Sequence, residues 1–251
     1  MLVLEDRQTN TTVSTSPNFT SRDDGQPKCA ICRDRGIVVD IEKNCAAPCS
    51  CQADRRRERL FKNSKITPGF KSKTFDNFCS QNRPVVIKKM LQSAWHYAAN
   101  FKLLQENNWL VLLGEPGCGK THLSCAVANQ LLEKGISVLY FPHVQGMNEL
   151  KDTLRAGEES LEARLWDMRK VHLLVWDDLF KARREPTPWT VEIVFDILNY
   201  RYLNMLPTII SSELTPQNLL SIDAAIGSRI MERGRGHTMV VSGIEYNYRI
   251  L

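Results

Sequence analysis

Three groups of residues in this chain have the types and spacing that chemistry requires. The first is Gly114-Glu115-Pro116-Gly117-Cys118-Gly119-Lys120-Thr121, which follows the apolar run 109–113 and precedes a helical pattern. Glycines at 114, 117 and 119 allow a turn tight enough to aim successive N–H groups inward, and a helix opening at Lys120 adds the positive end of its dipole. A polyphosphate fits that nest. Lys120 supplies a mobile cation for the β- and γ-phosphates, and the Thr121 hydroxyl can ligate the magnesium ion that accompanies them. Cys118 occupies a variable loop position, where a small filler is expected rather than a redox group.

The second group is Asp177-Asp178, at the end of the apolar run 171–176. A buried strand ending there places Asp177 next to the phosphate loop, where it can hold magnesium through water. Asp178, one residue further, faces the attacking water and orients it or accepts its proton. Ser211, Ser212 and Glu213 end the next apolar run and are expected beside Asp177, sensing the γ-phosphate by hydrogen bonding. The third group is Cys29-x-x-Cys32 with Cys49-x-Cys51, separated by an alternating ribbon at Ile37, Val38, Val39 and Ile41. Four thiolates so spaced can surround one zinc ion, which then replaces the core that so short a segment lacks. Cys45 lies close enough to substitute for Cys49 or Cys51, so the fourth ligand is open at this stage.

Weaker signals accompany these. Arg55, Arg56, Arg57 and Arg59 crowd one helical segment, suited to a phosphate backbone, to an acidic partner or simply to solvent. Phe75 either borders an adenine ring or packs in the core. Arg229 and Arg233 lie one helical turn apart, and either could reach the nucleotide of a neighbouring subunit or remain solvated.

The elements that must position these groups follow from the hydrophobic pattern. With 251 residues, 43% hydrophobic and 24% charged, the chain is long enough for one large domain with a small appendage. We expect a tail at 1–25, a zinc-binding module with its basic helix at 26–65, and the large domain at 66–251, divided near Thr67-Pro68-Gly69. Apolar runs at 109–113, 136–141, 171–176 and 207–213 alternate with helical patterns at 84–104, 123–132, 146–170, 186–206 and 224–233. That alternation predicts an α/β fold, a parallel sheet with helices on both faces. In 146–170 the expected buried stripe is Leu150, Leu154, Leu161, Leu165 and Trp166. No run is long enough to span a bilayer and no signal segment is evident, so we expect a cytoplasmic protein with reduced cysteines and no membrane partner. A net charge of +5 suggests nucleic-acid contact without establishing it.

Taken together, these stretches resemble the AAA+ helicase-loader ATPases of bacteria and their phages, the DnaC/DnaI type, with IstB-type transposition helpers as near relatives. The resemblance rests on GEPGCGKTHL, with His122 after Lys-Thr, on TFDNF at 74–78, VWDDLF at 175–180, PTIISSEL at 207–214 and SRIMER at 228–233, and spans roughly residues 27–245. It implies an AAA+ P-loop fold preceded by a zinc-binding module, and a magnesium-dependent ATPase. Lys120 and Thr121 would serve phosphate and Mg2+, Asp177 and Asp178 would be the Walker B acids, Ser212 would lie near the first sensor, and Arg229 would act in trans. The cysteine segment looks like the zinc-binding front end of the DnaI-like branch, which engages the replicative helicase and which IstB-type relatives generally lack. Glu213 stands where many members have Asn, and Asp178 where most AAA+ enzymes have Glu, which implies slow turnover. The function so implied is loading a hexameric DnaB-type helicase onto single-stranded DNA, as a homo-oligomer or a helicase-templated ring. A transposition helper on duplex DNA and a nucleotide-gated adaptor with negligible hydrolysis are the alternatives.

Overall fold

The computed structural model describes residues 27–40, 45–181 and 185–250; the expected N-terminal tail and Ile41 lie outside the described residues. Two compact units emerge, residues 1–52 and 53–251.

In the smaller unit, strands β1 (Ile37–Asp40) and β2 (Cys45–Pro48) form an antiparallel hairpin in which Ile37 faces Pro48 and Asp40 faces Cys45. The turn before it reverses through Arg33, Asp34 and Gly36, all at positive φ. The Asp34 carboxylate holds that turn by accepting from the N–H groups of Lys28 (3.0 Å) and Cys29 (3.1 Å). Ile31, Ile37 and Val39 are exposed, while Cys32 and Cys49 are buried. Burial in this unit is thus concentrated at cysteines, the pattern of a metal-stapled fold.

Helix α1 (Cys51–Asn63) carries the arginine cluster and is followed by α2 (Pro68–Lys71) and α3 (Val85–Ala99). Then come β3 (Trp109–Gly114), α4 (Lys120–Glu133), β4 (Val138–Pro142), α5 (His143–Ala156), α6 (Glu158–Lys170), β5 (Leu173–Asp177) and α7 (Pro188–Leu203). The chain ends with β6 (Thr208–Ser212), α8 (Pro216–Ile222), α9 (Ala224–Arg233), β7 (Thr238–Val241) and a short 3-10 turn. The boundary between units falls at Gln52, earlier than the expected residue 65. The reason is packing: Leu60 and Phe61 of α1 rest against the core of the large unit, and the Ser64 carbonyl accepts the Tyr140 N–H at 2.7 Å.

The five strands of the large unit stand in the order β4-β5-β6-β3-β7, all parallel. Both faces are covered, which explains why the strands read as continuous apolar runs. Leu110, Leu112, Leu173, Val175 and Ile209 pack on one side with α3 and α4. Trp109, Val111, Leu174, Trp176 and Ile210 pack on the other with the helices from α5 to α9. Each large side chain so buried contributes roughly 1.5–3 kcal/mol, and this two-sided core holds the strand ends in fixed register.

The expected single helix at 146–170 is two, broken at Gly157, whose φ of +137° ends α5 and starts α6. Its stripe is corrected accordingly. Leu150 and Leu165 are buried and Leu161 partly so, but Leu154 and Trp166 are exposed: Leu154 lies in the last turn of α5, and the break sets the phase of α6 independently of α5.

A buried cation ties the helical layer to the sheet. Arg201 of α7 is fully buried, and its guanidinium donates to the carbonyls of Met168 (2.9 Å), Arg169 (3.1 Å), Val171 (2.9 Å) and Pro207 and to Thr208 Oγ1 (2.9 Å). Burial lowers its pKa. The loops entering β5 and β6 are thereby pinned at one point.

Candidate nucleotide cleft and metal centre

Strand β3 delivers the glycine loop to the carboxyl edge of the sheet, and α4 starts there. Gly119 (φ +108°) is the N-cap of α4 and Gly117 (φ +77°) precedes it. A Cβ on Gly117 would sit 2.0 Å from Asn247 Oδ1, and one on Gly119 would sit 2.6 Å from the Phe78 ring, so both conformation and space demand glycine. Lys120 is nearly buried, its Nζ donating to the carbonyls of Gly114 (2.6 Å) and Glu115 (2.9 Å). Cys118 is buried in the loop, and that burial raises its thiol pKa against the opposing pull of Lys120. His122 Nε2 lies 2.8 Å from the Thr74 carbonyl with its ring edge-on to Phe78; burial lowers its pKa.

Asp177 ends β5 beside this loop. Its Oδ1 accepts from Thr121 Oγ1 at 3.0 Å and from Ser211 Oγ at 2.5 Å, and its Oδ2 from Tyr140 OH at 2.7 Å. Burial raises its carboxyl above the ordinary value, and the Ser211 and Tyr140 hydroxyls work against that rise. Thr121, in the first turn of α4, and Asp177, at the end of β5, are therefore in direct contact. Asp178 has φ +56°; its N–H donates to Ser211 Oγ at 2.8 Å and its carboxylate accepts from Lys181 Nζ at 3.0 Å. Gly117, Lys120, Thr121, Tyr140, Asp177 and Asp178 lie along one cleft of about 590 Å³, lined also by Phe78, Arg83, Pro116, Glu213 and Tyr248.

Two expectations change. Ser211, not Ser212, meets the acids. In the β5–β6 ladder Trp176 pairs with Ile210, so the next step sets Ser211 beside Asp177 and turns Ser212 to the opposite face, where its hydroxyl donates to the Leu179 carbonyl at 2.7 Å. Phe75 packs against the core and does not line the cleft; Phe78, one turn on, does. Arg229, expected to act on a neighbouring subunit, lies outside the cleft of its own chain. Its guanidinium stacks between Phe195 (5.2 Å) and Tyr202 (5.4 Å), and its NH1 donates to the Ala225 carbonyl at 3.0 Å. Arg233 stacks on Tyr202 at 4.7 Å.

In the smaller unit the sulfurs of Cys29, Cys32, Cys49 and Cys51 all lie within 4.8 Å of one another. Cys29 and Cys49 approach to 3.8 Å and Cys32 and Cys51 to 3.4 Å. Tetrahedral zinc with bonds of about 2.3 Å requires sulfurs roughly 3.8 Å apart, so the four fit zinc. The Gly36 N–H donates to Cys32 Sγ at 3.3 Å, support that stabilises a thiolate. Cys45, the alternative ligand, is exposed at the far end of β2 and outside the tetrad.

With this geometry in place, comparison with known proteins is decisive on one point. The sequence model of the family described as IstB-like ATP binding protein matches residues 40–250. The chain belongs to that family. Among its relatives, YqaM of Bacillus subtilis (strain 168) is 40% identical over 210 residues, covering 80% of this chain and 66% of YqaM. The replicative helicase loader DnaC of Escherichia coli (strain K12) is 29% identical over 183 residues, covering 72% of this chain and 70% of DnaC. The crystal structure of DnaI superposes with a TM-score of 0.57 at 24% identity, covering 71% of this chain and 94% of that one, which establishes a common fold. The family is described by ATP binding, and in this chain the glycine loop and the Thr121–Asp177 contact stand side by side at the carboxyl edge of the sheet.

Sequence inspection passed over Tyr140, Lys181, Arg83 and Tyr248. Tyr140 is the polar residue in an otherwise apolar strand, a signal that gains meaning only once β4 is known to flank β5. Lys181 stands three residues after Asp178, and its link to Glu213 (2.8 Å) depends on β6 lying next to β5. Arg83 stacks on the Tyr248 ring at 3.3 Å and gave no sequence signal.

Proposed function

We propose that this protein is an ATP-dependent loader of a replicative helicase, acting in the initiation of DNA replication. The cysteine unit, holding Zn2+, grips a hexameric DnaB-type helicase; the larger unit binds single-stranded DNA; the nucleotide state of the cleft governs assembly and release. The observation that carries this is the presence in one chain of a four-cysteine cluster and a cleft where Thr121 meets Asp177 at 3.0 Å. Similarity to a protein named as a replicative helicase loader supports it. A transposition helper shares the cleft, but in the resemblance above it lacks the cysteine module.

In the cleft, Lys120 and the loop N–H groups bind the β- and γ-phosphates, and Thr121 and Asp177 would hold Mg2+, which would supply charge neutralisation at the phosphates. Asp178 orients a water molecule and takes its proton as the water oxygen bonds to the γ-phosphorus and the bridging P–O bond breaks, leaving ADP and inorganic phosphate. Arg229 of a neighbouring protomer completes the site in a homo-oligomer or helicase-templated ring. Loading draws on the difference in binding between nucleotide states, with hydrolysis as the reset. A nucleotide-gated adaptor with negligible hydrolysis is the second possibility, favoured by the ion pair that occupies Asp178.

The test is Mg2+-dependent ATP turnover of the full chain, with and without single-stranded DNA and a DnaB-type hexamer, together with retention of that hexamer by immobilised protein. We expect slow turnover stimulated by single-stranded DNA, absent in Lys120→Ala, and capture of the helicase. Undiminished turnover in Lys120→Ala removes the mechanism. Duplex preference with filament formation points to the transposition helper, and nucleotide binding without turnover points to the adaptor.

A further inference from the structure

The cleft contains a lysine whose contacts are the acids of the site. Lys181 Nζ donates to Asp178 Oδ2 at 3.0 Å and to Glu213 Oε1 at 2.8 Å. Local geometry creates this bridge. Asp178 and Phe180 both take positive φ, and the Lys181 N–H returns to the Asp178 carbonyl at 2.9 Å, so the turn folds the lysine back over the acid that precedes it. Glu213 arrives from the end of β6, one residue past Ser212. The lysine thus joins the ends of β5 and β6, at the cleft wall that also carries Asp177.

We propose that Lys181 reads the γ-phosphate: anchored by Glu213, it leaves Asp178 for the terminal phosphate when a triphosphate enters. This rests on the nucleotide assignment above and deepens it. An ammonium group has three donors, so it can keep Glu213 while exchanging one carboxylate for a phosphate oxygen. Its side chain is 38% exposed, which leaves the head group free to move. Before the exchange, one cation serves two carboxylates, and Asp178 is engaged. After it, the Asp178 oxygen is available to a water molecule, so the contact that detects the γ-phosphate also frees the group that acts on it. ADP offers no phosphate at that position and leaves the Lys181–Asp178 pair in place. Glu213, itself expected to sense the γ-phosphate, becomes instead the tether of the lysine that does so.

The experiment is calorimetric titration of the full chain with ATPγS and with ADP, both with Mg2+, for wild type, Lys181→Met, Lys181→Arg and Glu213→Gln. Wild type should prefer ATPγS. Lys181→Met should lose about 10- to 100-fold of that preference, the worth of one charge-assisted hydrogen bond, with ADP affinity held within about 2-fold. Lys181→Arg should retain most of it, and Glu213→Gln should fall between. Steady-state kinetics should show kcat falling in Lys181→Met by more than KM for ATP changes. Unchanged ADP affinity certifies that the variant is folded. A Lys181→Met protein that keeps the wild-type preference, or a fall in both affinities together that arginine does not restore, overturns the proposal while leaving the nucleotide cleft standing. Wild type that binds neither nucleotide removes both.

Discussion

Replacing Ser211 with alanine should disable the cleft, and replacing Ser212 should not. The Ser211 hydroxyl donates to Asp177 at 2.5 Å and accepts from the Asp178 N–H at 2.8 Å, so one oxygen orients both acids. A hydrogen bond to a charged group is worth about 1.5–3 kcal/mol, and at about 1.4 kcal/mol per tenfold the Ser211→Ala protein should lose roughly 10- to 150-fold in kcat/KM. Ser212 donates to the Leu179 carbonyl, a neutral bond of about 1 kcal/mol, and Ser212→Ala should lose no more than about 5-fold. The defect should depend on pH. Burial already holds the Asp177 carboxyl above its ordinary value and Ser211 opposes that rise, so its removal moves the carboxyl further up. Because Mg2+ needs the carboxylate, the acid limb of turnover should shift to higher pH and the deficit should be largest at low pH. Stability runs the opposite way with pH. The folded metal-free protein holds the Asp177 proton more tightly than the unfolded chain does, so this contribution is full below the unfolded value of about 3.9 and is lost as pH rises through the folded one. Steady-state ATPase assays from acid to neutral pH on the two variants provide the measurement. Wild-type turnover in Ser211→Ala beside a crippled Ser212→Ala would refute the placement of the two hydroxyls.

Metal analysis of the purified chain should find one zinc per molecule, lost in Cys29→Ser and Cys32→Ser and kept in Cys45→Ser; a folded, zinc-free wild type would contradict the tetrad. Arg201→Met should be severely destabilising, because it strips donors from buried carbonyls of Met168, Val171 and Pro207. A loss of about 3–5 kcal/mol is expected, or about 10 °C in the thermal midpoint, read by circular dichroism; a midpoint within about 2 °C of wild type would show that the carbonyls find other partners.

Much of this protein is written locally in its residues. The phosphate loop is legible because its donors come from eight consecutive positions, from Gly114 to Thr121, and backbone N–H groups need only the right turn. The cysteine pairs are legible for the same reason, since a short hairpin is all that brings Cys29 and Cys32 to Cys49 and Cys51. The alternation of apolar runs and helical patterns also sufficed for a parallel sheet covered on both faces. What it could not supply is which strands are neighbours. Only the order β4-β5-β6-β3-β7 brings Tyr140 and Ser211 to Asp177 from either side and sets Glu213 within reach of Lys181. The choice between Ser211 and Ser212 turns on parity: side chains alternate along a strand, and the ladder with β5 decides which of two adjacent serines faces the acids. Buried Arg201 likewise looks like any helix arginine until the loops that surround it fold over its guanidinium. The glycine loop, the cysteine pairs and the approach of Asp177 to the loop were therefore readable in advance, whereas the parity of the two serines, the Tyr140 contact and the Lys181–Glu213 link were settled by packing alone.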